Sequence, residues 1–293
     1  MSVLAANIEA DVLQDVTKDV YNLVGTAGTT PATMLTFGQA RQKLNQYLAP
    51  QDKRRRVQVD SETMVTMVDA YKGLFQNNKA ISDQYIDGFI DHQGGFDWYE
   101  NESILSHTTG TRDNTTPLTN DATAQTGSSL VVDGLDASVT IKRGDVFTIA
   151  GVFAVHPETK TQYSHLQQFV VTADATANGS GEVTLSISPS IVASGATQNV
   201  SNGAADDKAI TFVGAASTTY GQNLAYHEDA FAFVTADLLL PGGVDMAARE
   251  VYDGISMRIV RAYDINNDNM PCRIDVLYGY ETLRAQLACR ITK

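Results

Sequence analysis

The sequence is short of cysteine and of positive charge, and each shortage excludes a class of protein. Two cysteines, Cys272 and Cys289, in 293 residues are too few for a disulfide scaffold or for a zinc site of their own. They read as two small buried hydrophobes in a reducing cytoplasm. There are 21 Lys and Arg against 34 Asp and Glu, a formal net charge of −13, and no basic block is longer than Lys53-Arg54-Arg55-Arg56. Non-specific affinity for nucleic acid comes from counterion release by Lys and Arg, so a DNA-binding role is not expected. An acidic lining past which packed DNA slides is compatible with the same charge. The longest apolar runs, such as Ala230–Val234 and Leu238–Leu240, fall far short of the ~20 residues of a membrane span. The amino terminus lacks the basic and apolar regions of a signal peptide. These features predict a soluble cytoplasmic product.

Motifs of chemistry are missing as well. There is no G-x-S-x-G elbow, no G-x-x-x-x-G-K phosphate loop and no Rossmann fingerprint after a strand. Asp264, Asn266 and Asp268 alternate as in a calcium loop, but Asn269 stands where glycine is needed and Asp275 falls inside a predicted strand. A polar hairpin turn explains them better. His156 and His165 are close in sequence, yet His156-Pro157-Glu158-Thr159-Lys160 is turn-like, and His92, His107 and His227 have no partner at ligand spacing. Phe96, Trp98 and Tyr99, or Tyr220 and Tyr226, can line a carbohydrate or peptide groove, and core packing under the β-rich stretch accounts for them at least as well. The reading names no catalytic, cofactor or metal residues, and no cofactor.

What is present is an ordinary globular composition, 43% hydrophobic and 19% charged. The length is about where single cores stop growing, near ~250–300 residues, so two domains are expected. Leu4, Ile8, Val12, Val16, Val20 and Val24 recur every four residues and predict one long helix, closed by Gly25 as a left-handed cap. A second helix is predicted over Phe37–Leu48 and a short strand over Arg56–Asp60. A third helix starts at Asp60 or Ser61 with the stripe Met64, Met67, Val68, Tyr71, Leu74 and Phe75, and a short one covers Ile81–Ile90.

After Ser106 the composition changes. His107–Gly127 is loop-like, and then strands are predicted at Ser129–Val132, Ser138–Ile141, Val146–Ile149, His165–Thr172, Glu182–Ile187 and Ala209–Val213. Short strands separated by turns such as Asn178-Gly179-Ser180-Gly181 indicate a small barrel or sandwich. Mixed character then returns, with strands at Phe231–Thr235, Gly254–Tyr263, Cys272–Tyr280 and Leu287–Ile291. Arg258, Arg261, Arg273 and Asp275 alternate with Ile259, Val260, Ile274 and Val276, which predicts one wet face. The whole reads as an α+β body interrupted by an all-β insert.

Several stretches resemble a known family. Lys142-Arg143-Gly144-Asp145-Val146-Phe147-Thr148-Ile149-Ala150-Gly151-Val152 is similar to a strand–turn–strand signature of phage major coat proteins that carry an inserted β-barrel. So are His156-Pro157-Glu158-Thr159-Lys160, Leu166-Gln167-Gln168-Phe169-Val170-Val171 and Gln222-Asn223-Leu224-Ala225-Tyr226-His227. The closing hairpin, from Asp253-Gly254-Ile255 to Tyr278-Gly279, is similar too. The resemblance is to the lambdoid short-tailed branch, with the Hong Kong 97-type capsid fold. It implies a map: residues 1–30 as the later part of the spine helix in the peripheral domain, 31–106 as the axial domain, 107–219 as the inserted β-barrel domain, and 220–293 as the return through the axial domain to peripheral strands.

The family begins before the spine helix, with an arm and an extended loop, whereas this chain opens inside the helix. The chain alone is therefore expected to give monomers or small oligomers and no closed shells. The implied function is self-assembly into an icosahedral shell around double-stranded DNA, with no enzymatic activity. Implied partners are copies of itself in pentamers and hexamers, scaffolding protein and portal, with packaged DNA near but not specifically bound and no membrane. The implied location is the virion, assembled in the host bacterial cytoplasm. The rivals are a carbohydrate-binding or surface adhesion module and a hydrolase with a β appendage.

Overall fold

Alternation of side chains, more than helical period, decides this fold. A computed structural model describes residues 2–71, 90, 92–103, 106–112, 117–120, 123–252 and 254–293. In chain order the first elements are α1 (Ser2–Lys18), β1 (Leu23–Gly25), α2 (Met34–Gln46), β2 (Arg55–Val59), α3 (Ser61–Tyr71), β3 (His92–Gln93), β4 (Phe96–Glu100) and β5 (Ser106–Thr108). Then come β6 (Leu118–Thr119), β7 (Gly127–Asp133), β8 (Thr140–Ile141), β9 (Val146–Val155), β10 (Gln162–Val171), β11 (Ala175–Thr176), β12 (Val183–Ile191) and β13 (Ile210–Phe212). The last are β14 (Thr219–His227), β15 (Phe231–Ala236), β16 (Met246–Tyr252), β17 (Ile255–Arg261), β18 (Cys272–Thr282) and β19 (Ala288–Thr292). The chain divides into two compact units, Met1–Ala230 with Arg284–Lys293, and Phe231–Leu283.

The first unit holds a central sheet in the order β1-β19-β14-β2-β4-β3, with β5 added to the start of β14. All five residues of β19 are buried, as befits a central strand. Across it packs α2, whose Phe37, Ala40 and Leu44 form one buried face at the spacing of a helical stripe. Phe37 meets Trp98 of β4 with ring centroids 4.5 Å apart. Phe96 and Trp98 are thus core residues of this sheet, while Tyr99 is exposed. The chain crosses from the sheet on β5 and comes back on β14, and these two pair antiparallel.

Between them lies a six-stranded sheet, β13-β9-β10-β12-β7-β6. An antiparallel bridge from Leu118 to Ala209 joins its two ends, so the sheet closes into a barrel and has no free edge there. Val183, Leu185 and Ile187 point inward on alternate positions of β12, and Phe147 stacks near Phe169 and Phe212 at centroid distances of 5.8 and 5.5 Å. The β9–β10 turn is built on His156, whose Nδ1 accepts the amides of Glu158 and Thr159, both at 3.1 Å. Gly181, at φ +79, brings the chain so close to Leu135 that a Cβ would lie 2.0 Å from its carbonyl oxygen, and only glycine fits.

Several expectations need correction. The first helix stops at Lys18 and not at Val24, because Leu23 and Val24 form β1 beside β19. Pairing with β19 outweighs the four-residue period. Gly25 closes no helix: it ends β1 at φ +93, where a Cβ would sit 2.6 Å from the Thr292 carbonyl oxygen. The second helix begins at Met34 and ends at Gln46. The strands β14 and β16 were not foreseen. Cys289 is buried as expected, but Cys272 is exposed, being at the start of β18. Leu74, Phe75 and most of the helix expected over Ile81–Ile90 lie outside the described residues.

The second unit is a four-stranded antiparallel sheet, β15-β18-β17-β16. Among its described residues only Ser256 is buried. The turn of its β17–β18 hairpin is closed by a bridge from Asp264 to Asn269. The Asp264 carboxylate accepts the amide of Asn266 at 3.0 Å and the side chain of Asn267 at 2.7 Å, the polar hairpin expected.

Candidate functional site: the seat of the barrel and an apolar sheet face

The turn Lys142-Arg143-Gly144-Asp145, between β8 and β9, sets the barrel on the central sheet. Asp145 is 1% exposed. Its Oδ2 accepts the amides of Lys142 at 3.1 Å and Gly110 at 3.4 Å. Its Oδ1 accepts Arg112 Nη1 at 2.7 Å and lies 2.8 Å from His107 Nε2. Burial disfavours the charge on Asp145, but hydrogen bonding from His107 and the Arg112 guanidinium outweigh it and hold the carboxyl below its usual range. Arg112 also donates from Nη2 to the Gly214 carbonyl at 2.9 Å and lies over the Phe212 ring, 5.0 Å from its centroid.

Arg290, on β19 and fully buried, reaches the same turn. Its Nη1 donates to Gly144 O at 3.0 Å and Gln222 Oε1 at 3.4 Å. Its Nε and Nη2 find no acceptor among the described residues. Burial draws its pKa down to about 10, against the attraction of Asp145, so it remains a cation at neutral pH. The seat therefore holds two buried guanidinium groups for one carboxylate. Each orphaned buried donor costs about 1–3 kcal/mol.

Two further contacts complete the seat. Arg143 spans α1, its Nη1 2.7 Å from Asp15 and its Nη2 2.7 Å from Asp19. Gln168 of β10 uses its side-chain amide as a substitute strand along β1, giving Nε2 to Leu23 O at 2.8 Å and taking Leu23 N at 3.1 Å. Next to it Tyr47 donates to Gln167 Oε1 at 3.0 Å, and burial raises the Tyr47 hydroxyl to about 12. The apolar share of the contact is small, a cluster of Tyr21, Leu23, Val146 and Val170.

In the four-stranded sheet the register sorts side chains onto two faces. Phe231, Phe233, Tyr278, Tyr280, Val276, Ile274, Met257, Ile259, Ile255, Met246 and Tyr252 share one. None of them is buried, and Phe233 and Tyr252 are 45% and 74% exposed. Arg249, Arg258, Arg273, Asp275 and Glu281 share the other. Arg258 pairs directly with Asp275, its Nε at 3.1 Å. One residue of each expected set changes sides: Val260 lies with the arginines, opposite Arg273, and Arg261 ends the apolar face. A strand's faces follow its register, and simple alternation slips where Ile259 and Val260 are consecutive.

The other candidates take ordinary places. His165 stacks on Tyr163 at 5.3 Å, with His156 6.2 Å from that ring. Burial and then Lys43 lower the His165 pKa to about 4. His92 and His227 pair with Asp97 at 2.5 Å and Asp52 at 2.9 Å. Tyr220 accepts the Ala215 amide at 2.7 Å, and Tyr226 is half-buried. Among the described residues no three His, Cys, Asp or Glu are grouped as metal ligands, and no helix is long and apolar enough to cross a membrane. The Arg112, Asp145, His107 and Arg290 centre escaped sequence reading: its members are far apart in the chain, and their only local sign was Gly144-Asp145 in a turn.

The model of the family described as "P22 coat protein - gene protein 5" matches residues 2–289. The chain belongs to the P22 coat protein family. Among solved structures it is similar to a chain from Mycobacterium phage Che8, at 11% identity and a TM-score of 0.42, over 99% of this chain and 59% of that one. It therefore spans well under two thirds of that chain's length. It is also similar to the CUS-3 coat protein I-domain, at 27% identity and a TM-score of 0.23, over 37% of this chain and 94% of that domain. A comparison with curated proteins finds no match.

Proposed function

We propose that this chain is a structural subunit of a phage capsid, a major coat protein that assembles with copies of itself into an icosahedral shell around double-stranded DNA, and that it has no catalytic role. The observation that carries the reading is the coat-protein family match over residues 2–289. The chemistry agrees. The polar clusters described above join one part of the chain to another, and the four-stranded sheet offers a wide apolar face of the kind that marks interaction surfaces. Such a subunit works by repeated surface complementarity, with head-to-tail contacts closing into rings of five and six.

In this reading the fold is of the Hong Kong 97 type, the barrel is the inserted domain over 107–219, and α1 is the later part of the spine helix. Scaffolding protein and portal are its partners, and its place is the virion shell, assembled in the host cytoplasm. The excess of acid keeps packaged DNA from sticking. Sedimentation over a wide concentration range tests the function. Reversible self-association that strengthens with salt is expected, because salt screens the repulsion between acidic subunits. A chain that stays monomeric throughout and is retained on immobilised glycans would instead support the adhesion-module alternative.

A further inference from the structure

The barrel's core belongs to the barrel alone. Its buried cluster runs from Leu130 to Phe212 and takes no residue from the central sheet. The chain enters and leaves along one narrow ribbon, β5 with the start of β14, continued by Thr109 N to Thr218 O at 3.0 Å and Ser217 N to Gly110 O at 2.9 Å. Apart from the cluster of Tyr21, Leu23, Val146 and Val170, the barrel is held to the sheet and α1 by polar groups. Interfaces of this kind between bodies permit relative motion unless something locks them.

We propose that the barrel is a swivelling body on this ribbon and that Asp145 is the positioning residue that latches it at one angle. The charged groups facing Asp145 come from every element around it: His107 from β5, Arg112 from the entering segment and Arg290 from β19. Beside it in its own turn, Lys142 is engaged by Asp174, and Arg143 by Asp15 and Asp19. Other polar contacts also join the two bodies, Arg143 with Asp15 and Asp19, Gln168 with Leu23, Gln167 with Tyr47 and Arg290 with Gly144 O, but Asp145 is the one buried carboxylate among them. The latched state is also frustrated, since Arg290 is buried with two donors unsatisfied. A swing that admits water to Arg290 relieves that cost, and Asp145 is what opposes it. Discharging Asp145 therefore frees the barrel without melting its core, whereas removing the Arg290 charge leaves the latch closed.

The test uses the full chain with Cys272→Ser, carrying spin labels at Gln51→Cys and Thr197→Cys, both exposed positions. The parent and Arg290→Met should each give one narrow label-to-label distance distribution, and Asp145→Asn should give a shifted or broadened one. Hydrogen exchange on the same proteins should show the amides of Gly110, Lys142 and Thr218 exchanging at least ~10-fold faster in Asp145→Asn, with β9, β10 and β12 unchanged. An unchanged distribution in Asp145→Asn would overturn the proposal. So would loss of protection in the barrel strands together with the ribbon, because that is unfolding and not a swivel. If Asp145→Asn does not fold, His107→Gln removes one contact of the latch and is judged by the same two readouts.

Discussion

The barrel and the four-stranded sheet both consist of antiparallel strands, yet they keep their apolar side chains in opposite places. In the barrel Phe147, Phe169, Leu130 and Leu185 are wholly buried. In the sheet of β15 to β18 none of the apolar residues of one face is buried and several, such as Phe233 and Tyr252, are exposed, and Ser256 is the one buried residue described. Closure explains the difference. A closed sheet turns one face of every strand inward and supplies its own core, while an open sheet must find cover elsewhere. At about 1.5–3 kcal/mol for each large apolar side chain fully buried, the barrel draws its stability from within. The open sheet is left with hydrogen bonds and partial burial. In the proposed reading a subunit has use for both, a body with its own core and a surface left for contact.

Substitutions should separate the two regions sharply. Phe147→Ala removes a fully buried ring and should cost about 3–5 kcal/mol in denaturant unfolding. Ile259→Ala, on the open face, should change the same midpoint far less. Equal losses would show that the sheet has a core of its own. A similar effect, again about 3–5 kcal/mol, is expected for Asp145→Ala, which leaves Arg112 and Arg290 buried without a counter-charge. Asp245→Ala, breaking the exposed pair with Arg261 at 2.7 Å, should shift the midpoint only slightly.

Acid should act on the first region before the second. The folded Asp145 carboxyl titrates below its usual range. Its contribution is therefore complete above the unfolded carboxylate value near ~4 and is lost as pH falls through the lower folded value. Hydrogen exchange at the ribbon amides should rise over that acid window, and in Asp145→Asn this pH dependence should be absent. Thiol labelling is the gentlest probe. Cys272 is exposed and Cys289 buried, with burial raising the Cys289 thiol to about 12. One equivalent of reagent should react with the native chain and the second only on unfolding. Two fast equivalents would mean that β19 is not the protected central strand.

How far each region could be read from sequence follows from the same contrast. Barrel strands such as β7 and β12 show inward residues at period two, and turn glycines such as Gly181 mark their ends, so their positions were legible. The family resemblance was legible in the Lys142–Val152 stretch and in the closing hairpin. By contrast, Val20 to Val24 continue a helical period that only contact with β19 overrides. The Asp145 centre joins β5, the entering segment and β19, positions that no local pattern connects. The apolar face of the open sheet was blurred because consecutive apolar pairs, Ile259-Val260 and Val276-Leu277, put one residue on each face. Only the strand register decides which of the two belongs to the apolar side.

Hydrogen exchange of the intact chain, followed strand by strand, tests most directly the claim that one region is self-sufficient and the other is not. β17 and β18, like β9, β10 and β12, have a paired strand on each side, so a difference between these strands reports burial and cooperativity and not the mere presence of a bond. The account predicts that amides of β9, β10 and β12 outlast those of β15 to β18 by orders of magnitude in the dissociated chain. Equal protection in the two regions would contradict it.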